Sequence, residues 1–122
     1  SAAGTIHDPV DIVTVDDRHM AVAQLFGTVA ILDRDGAIVD EFGREILATP
    51  HPMTARGNRI WVGDNRRREI FCFNISGDLL YRTGGIGPEN ISPYGLACVG
   101  DDKLAVSVEG RITLFQIIYP TR

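Results

Sequence analysis

Short apolar runs separated by wet, glycine-bearing interruptions set the rhythm of this chain. Residues 10–15, 19–24, 28–33 and 37–42 are rich in Val, Ile, Ala and Leu, and each is bounded by Gly, Asp or Asn. Runs of that length and composition predict β-strands. No stretch carries a long helical period with caps. Asp33-Arg34-Asp35-Gly36 and Asn74-Ile75-Ser76-Gly77 supply hairpin turns, with Gly where a positive φ is wanted.

The pattern recurs. Gly36 and Gly77 stand 41 residues apart, as do Val29–Leu32 and Ile70–Phe73, Phe42 and Thr83, and Pro52 and Pro93. Ile70–Phe73 reappears 42 residues on as Ile112–Phe115. A period near 40 marks a repeat architecture. Four antiparallel strands in about 40 residues describe a propeller blade, which is apolar on both faces because neighbours stack on both. That accounts for Ile70–Phe73 being apolar without alternation. The chain reads as all-β, with three units at about 9–49, 50–91 and 93–119. The third has strands expected at 95–99, 103–108 and 111–119 and no clear fourth. Propellers close with about 4–8 blades, so three blades leave two open apolar faces. Ile12, Val22, Val29 and Ile31 are among those expected on one, and Leu104, Val106, Ile112 and Leu114 among those on the other. Two copies would close a six-bladed ring, with residues 1–8 and 116–122 at the junction; the alternative is a fragment whose remaining blades lie in another chain or were removed.

The stretch PHPMTARGNRIWVGDNRRREIFCFNISGDLLYRTGG resembles an NHL repeat. Pro52, Asn58, Ile60, Val62, Asp64, Asn65, Arg68, Ile70, Phe73, Asn74 and Gly77 stand where that pattern wants them, although Glu69 splits the usual Arg-Ile pair. The first repeat has Gln24-Leu25-Phe26-Gly27 in place of the Asp-Asn-Arg turn, and the third also lacks it. The resemblance implies a repeat propeller. It leaves function open, because such folds host binders and enzymes alike.

Composition narrows the classes. The net charge of −4 argues against general attraction to nucleic acid or acidic membrane. The apolar runs are too short to span a bilayer as helices. The chain starts at Ser1, no secretory signal is visible, and localisation stays open. Cys72 and Cys98 lie in apolar runs, as buried free thiols would. His7, His19 and His51 are far apart and expected in loops, and no Cys/His spacing fits zinc.

A meander places the turn between the second and third strands at the same end as the connection between blades. That end collects Arg44, His51, Asn65, Arg66, Arg67 and Arg68, the candidate ligand- or partner-binding residues. The three arginines offer forks suited to carboxylate or phosphate. Their alternative is a solvated turn paired with Asp64 and Glu69. The expected function is a non-enzymatic binding module for a protein or small ligand, without cofactor, with a second copy as a further partner. An RNA-binding propeller and a metal-assisted hydrolase or lyase are the alternatives. The enzyme would need carboxylates at the channel, where the inner strands offer Asp11 and Asp16. No G-x-S-x-G or H-E-x-x-H is present.

Overall fold

A computed structural model describes residues 5–83 and 93–117. The chain forms three antiparallel sheets, and the described residues contain no helix. Blade one holds β1 (Pro9–Asp16), β2 (His19–Gln24), β3 (Thr28–Leu32) and β4 (Ile38–Phe42), in that spatial order. Blade two holds β5 (Pro50–Arg56), β6 (Arg59–Asp64), β7 (Glu69–Phe73) and β8 (Leu79–Arg82). Blade three holds β9 (Gly95–Val99), β10 (Lys103–Val108) and β11 (Arg111–Gln116), with β11 at its edge. The last strand ends at Gln116, short of the expected 119, and residues 118 and 119 lie outside the described region.

The turns work as their sequences require. Gly36 and Gly77 adopt φ of 85° and 91°, a region costly for a residue with a Cβ. The Asp33 and Asn74 side chains each accept N–H groups two and four residues on, which fixes the hairpins.

The inner strands β1, β5 and β9 are neighbours, so the blades stack side by side. Between blades one and two, Ala21, Ala23, Val29 and Ile31 share a core with Ile60, Val62, Phe71 and Phe73. Phe71 and Phe73 are fully buried, each worth about 1.5–3 kcal/mol of transfer free energy. Between blades two and three, Trp61, Ile70 and Cys72 share a core with Leu104, Val106 and Val108. Trp61 stacks on Tyr81 with ring centroids 5.9 Å apart. Gly63 lets the second of these seams close, because a Cβ there would stand 2.8 Å from Pro52 Cδ in its own blade and 2.9 Å from Pro93 Cγ, which leads into blade three.

The open faces differ from expectation in part: Ile12, Ile112 and Leu114 are exposed there as expected. Val29, Ile31, Leu104 and Val106 were expected there but lie inside the two seams; Val22 shares the open face with Ile12 by register but is covered to 3% exposure. Neighbours along a strand point to opposite faces, and only one of the two sets meets a blade. The open set is Val10 and Ile12 on blade one, and Val99, Ile112 and Leu114 on blade three.

Candidate functional site

The end of the sheets that carries the β6–β7 turn is organised by Asp64. This residue closes β6, and none of its surface is exposed. Its carboxylate accepts the N–H groups of Ala48 at 2.7 Å and Thr49 at 3.1 Å from the β4–β5 connection. It also accepts those of Arg66 at 3.1 Å and Arg67 at 2.9 Å from its own turn. A buried charge is tolerated when donors surround it, and here all four are backbone groups. The Arg68 N–H closes the turn on the Asp64 carbonyl at 2.7 Å, with Arg68 at a φ of 58°. The connection and the turn are therefore one unit.

For Arg66 and Arg67 this corrects the ionic reading of the turn. The Asp64 carboxylate serves main-chain donors, and Glu69 holds Arg82 through contacts of 2.7 and 3.0 Å. Arg66 and Arg67 extend into solvent, and among the described residues no carboxylate forms an ion pair with them.

Of the other expected site residues, Asn65 and His51 meet: the Asn65 amide donates to the His51 carbonyl at 3.1 Å. His51 was expected in a loop but lies within β5, because pairing of Pro50 with Asp64 starts the strand one residue earlier. His19 likewise opens β2. Arg44 is exposed in the β4–β5 connection, over blade one. It lines a hollow of about 170 Å³ with His7, Gln24, Phe26, Thr28 and Glu41.

Phe26 is the residue that sequence reasoning missed. It lies in the β2–β3 turn, 78% exposed, with Leu25 beside it at 38%. The signal was an aromatic where the related turn of blade two has arginine. Gln24 takes the place of Asp64 beneath it. Its side chain accepts the His7 N–H at 2.7 Å and donates to Thr28 and Glu41 at 2.7 and 2.9 Å. One end of the molecule thus carries an exposed aromatic and four exposed arginines, Arg44, Arg66, Arg67 and Arg68, on hydrogen-bonded turns and the β4–β5 connection.

The opposite end holds a cleft of about 330 Å³ between blades two and three, lined by Arg56, Arg59, Trp61, Cys98 and Asp101 among others. Cys98 is half-buried, and burial raises its pKa. Both thiols are free, but only Cys72 is fully buried. On the channel side, both Asp11 oxygens are engaged, by the N–H groups of Ile12 at 2.9 Å and Met53 at 2.8 Å. Asp16 pairs with His19 at 2.9 Å. Among the described residues no three His, Cys, Asp or Glu side chains gather as a metal site.

Solved structures match this arrangement. The chain aligns over 92% of its length with BBS1N from its complex with ARL6DN, at TM-score 0.73 and 15% identity. It aligns over 91% with BamB from Moraxella catarrhalis, at 0.70 and 16%. It aligns over 91% with the computationally designed Ika8 protein, at 0.68 and 15%. The fold is that of β-propeller blades. The chain spans 38%, 33% and 35% of those three chains, about a third of each. No protein-family model and no curated protein sequence matches it.

Proposed function

We propose that this propeller segment is a protein-binding scaffold that uses the end bearing Phe26, Arg44, Arg66 and Arg67. The carrying observation is Phe26, 78% exposed on a turn held from below by Gln24. Aromatic and arginine side chains are the residue types that anchor protein interfaces. Rigid turns reduce the ordering cost of binding. The partner this chemistry fits is a protein surface with an apolar pocket bordered by carboxylates. BBS1N was solved in complex with ARL6DN, which supports the idea that blades of this kind bind proteins. A second copy of the chain is a further partner under this reading. The repeats are taken as NHL-like on the residues of blade two, with Asp64 as the turn-forming carboxylate. The module is read as non-enzymatic, because Asp11 is committed to main-chain donors.

Peptides selected from a random displayed library against the purified chain test the proposal. They should pair an apolar anchor with acidic residues. Phe26→Ala should weaken the best peptide about tenfold or more without moving the melting temperature. Selected peptides indifferent to Phe26 and to Arg66 and Arg67 would refute it. Single-stranded RNA binding at physiological salt, lost in an Arg66→Ser/Arg67→Ser chain, would favour the nucleic-acid alternative instead.

A further inference from the structure

A second exposed aromatic shares the end that carries Phe26. Tyr94, 62% exposed, immediately precedes β9. Its backbone is held in place. The Tyr94 N–H donates to the Ser107 carbonyl at 2.8 Å. Pro93 before it is fully buried, with its Cγ in the space that a Cβ on Gly63 would take. Met53 occupies the same place in the repeat, 41 residues earlier, but packs into the seam between blades one and two at 4% exposure. Tyr94 does not join the corresponding seam between blades two and three. Its own blade gives it little cover. Val108 pairs with Arg111, so the β10–β11 turn is Glu109-Gly110 alone, with Gly110 at a φ of 78°.

Across the three blades this end therefore presents Phe26, then Arg66 and Arg67, then Tyr94. Register puts them together: Pro50 at the start of β5 pairs with Asp64 beside the arginine turn, and Gly95 at the start of β9 pairs with Ser107 beside the β10–β11 turn. The charges follow the same order. Beside Phe26, Arg44 is offset by Glu41, with which it lines the small hollow. At the β10–β11 turn, Arg111 is offset by Glu109. Arg66 and Arg67, in the middle, form no ion pair with a carboxylate among the described residues. The end is thus aromatic with balanced charge on both flanks and cationic at its centre. A nucleic acid brings a phosphate at every residue and would set charge against Glu41 and Glu109 as well. A polypeptide can confine its carboxylates to the middle.

We infer that this end accepts an extended acidic segment of a partner protein with an apolar side chain at each end, one packing on Phe26 and the other on Tyr94. Its carboxylates meet Arg66 and Arg67, whose planar forks suit them. Stacked sheets lie about 10 Å apart, which sets Phe26 on blade one roughly 20 Å from Tyr94 on blade three. An extended chain rises about 3.3 Å per residue, so the two apolar residues stand about six positions apart. Anchors joined in one segment reinforce each other, because the second binds at the effective concentration that the first imposes, and a segment too short to span them loses that gain. The inference rests on the scaffold reading and adds to it the second anchor, the span and the form of the partner.

Two displayed peptide libraries test it against the purified chain. In each, two apolar residues flank a variable run of Asp, Glu, Ser and Gly, either one residue or five residues long. The longer run should yield the tighter peptides. Phe26→Ala and Tyr94→Ala should each weaken the best of them about tenfold or more in fluorescence anisotropy, with the melting temperature unchanged. Replacing one apolar residue of that peptide by Ser should remove its sensitivity to one of the two substitutions and keep its sensitivity to the other. Should Tyr94→Ala misfold, Tyr94→Gln replaces it. Peptides weakened by Phe26→Ala but not by Tyr94→Ala overturn the inference and leave the scaffold reading. Equal affinity from the one-residue run does the same, since so short a run cannot span both rings. Failure of both libraries while an unrestricted library yields Phe26-dependent peptides also overturns the inference alone. Failure of all three libraries overturns both readings. Single-stranded RNA that binds tighter than any peptide, and is lost in Tyr94→Ala, overturns the inference and assigns the end to nucleic acid.

Discussion

Removing the Asp64 carboxylate is the sharpest test of how the arginine end is held. In Asp64→Ala four N–H groups lose their acceptor, those of Ala48, Thr49, Arg66 and Arg67. Arg66 and Arg67 are exposed and their amides can turn to water, whereas Ala48 and Thr49 are half-buried. A buried donor left without its acceptor costs about 1–3 kcal/mol. Counting the two half-buried donors fully and the two exposed ones barely gives about 2–6 kcal/mol. Relief of the buried charge offsets part of this, so the expected loss is about 3 kcal/mol, a large share of a typical stability of about 5–15 kcal/mol. Urea unfolding followed by fluorescence measures it, since Trp61 is the sole tryptophan and is buried at 6% exposure. Asp64→Asn keeps one acceptor oxygen but turns an NH₂ toward the remaining donors, so it should fall between wild type and Asp64→Ala. If Asp64→Ala stays within about 1 kcal/mol of wild type, water satisfies these amides and the carboxylate does not organise the end. An Asp64→Asn chain as stable as wild type would show that charge is irrelevant to it.

Gly63→Ala pushes a Cβ against Pro52 and Pro93 and should cost about 1–3 kcal/mol by overpacking, read as a lower melting temperature; an unchanged melt would mean the seam between blades two and three can part freely. Arg66→Ser with Arg67→Ser should leave urea stability within about 0.5 kcal/mol, as expected for exposed side chains, and a larger loss would make the turn arginines structural. A maleimide should label Cys98 in the native chain faster than Cys72, since Cys98 lines the cleft between blades two and three and Cys72 is fully buried; equal rates would contradict the packing. Burial pushes the Cys72 thiol up to about 12 from its ordinary 9.0. The unfolded chain therefore gives up this proton first, so the thiol costs nothing below pH 9.0 and favours unfolding increasingly as pH rises toward 12. Cys72→Ala should flatten the alkaline loss of stability relative to wild type, and parallel curves for the two chains would refute it.

Strands and turns were legible in the sequence because their causes are local. The Asp33 and Asn74 side chains bond within their own turns, and Gly36 and Gly77 sit where φ is positive. The 41-residue spacing is written in the same residues, so the stacking of blades could be read as well. Face was not legible. Ile12-Val13-Thr14-Val15 has apolar residues at both parities, and only the presence of blade two decides that Val13 and Val15 pack while Ile12 stays open. The same decision moved Val29 and Ile31 from an expected open face into a seam. At the candidate site, Arg66 and Arg67 could be placed on a solvated turn, because charge and a turn sequence suffice for that. The task of Asp64 could not be read, since two of its donors lie 15 and 16 residues back along the chain and meet it only when β5 pairs with β6. Phe26 shows the converse. Aromatic character predicts burial, yet no strand among the described residues packs over the β2–β3 turn, and tertiary structure leaves the Phe26 ring in water.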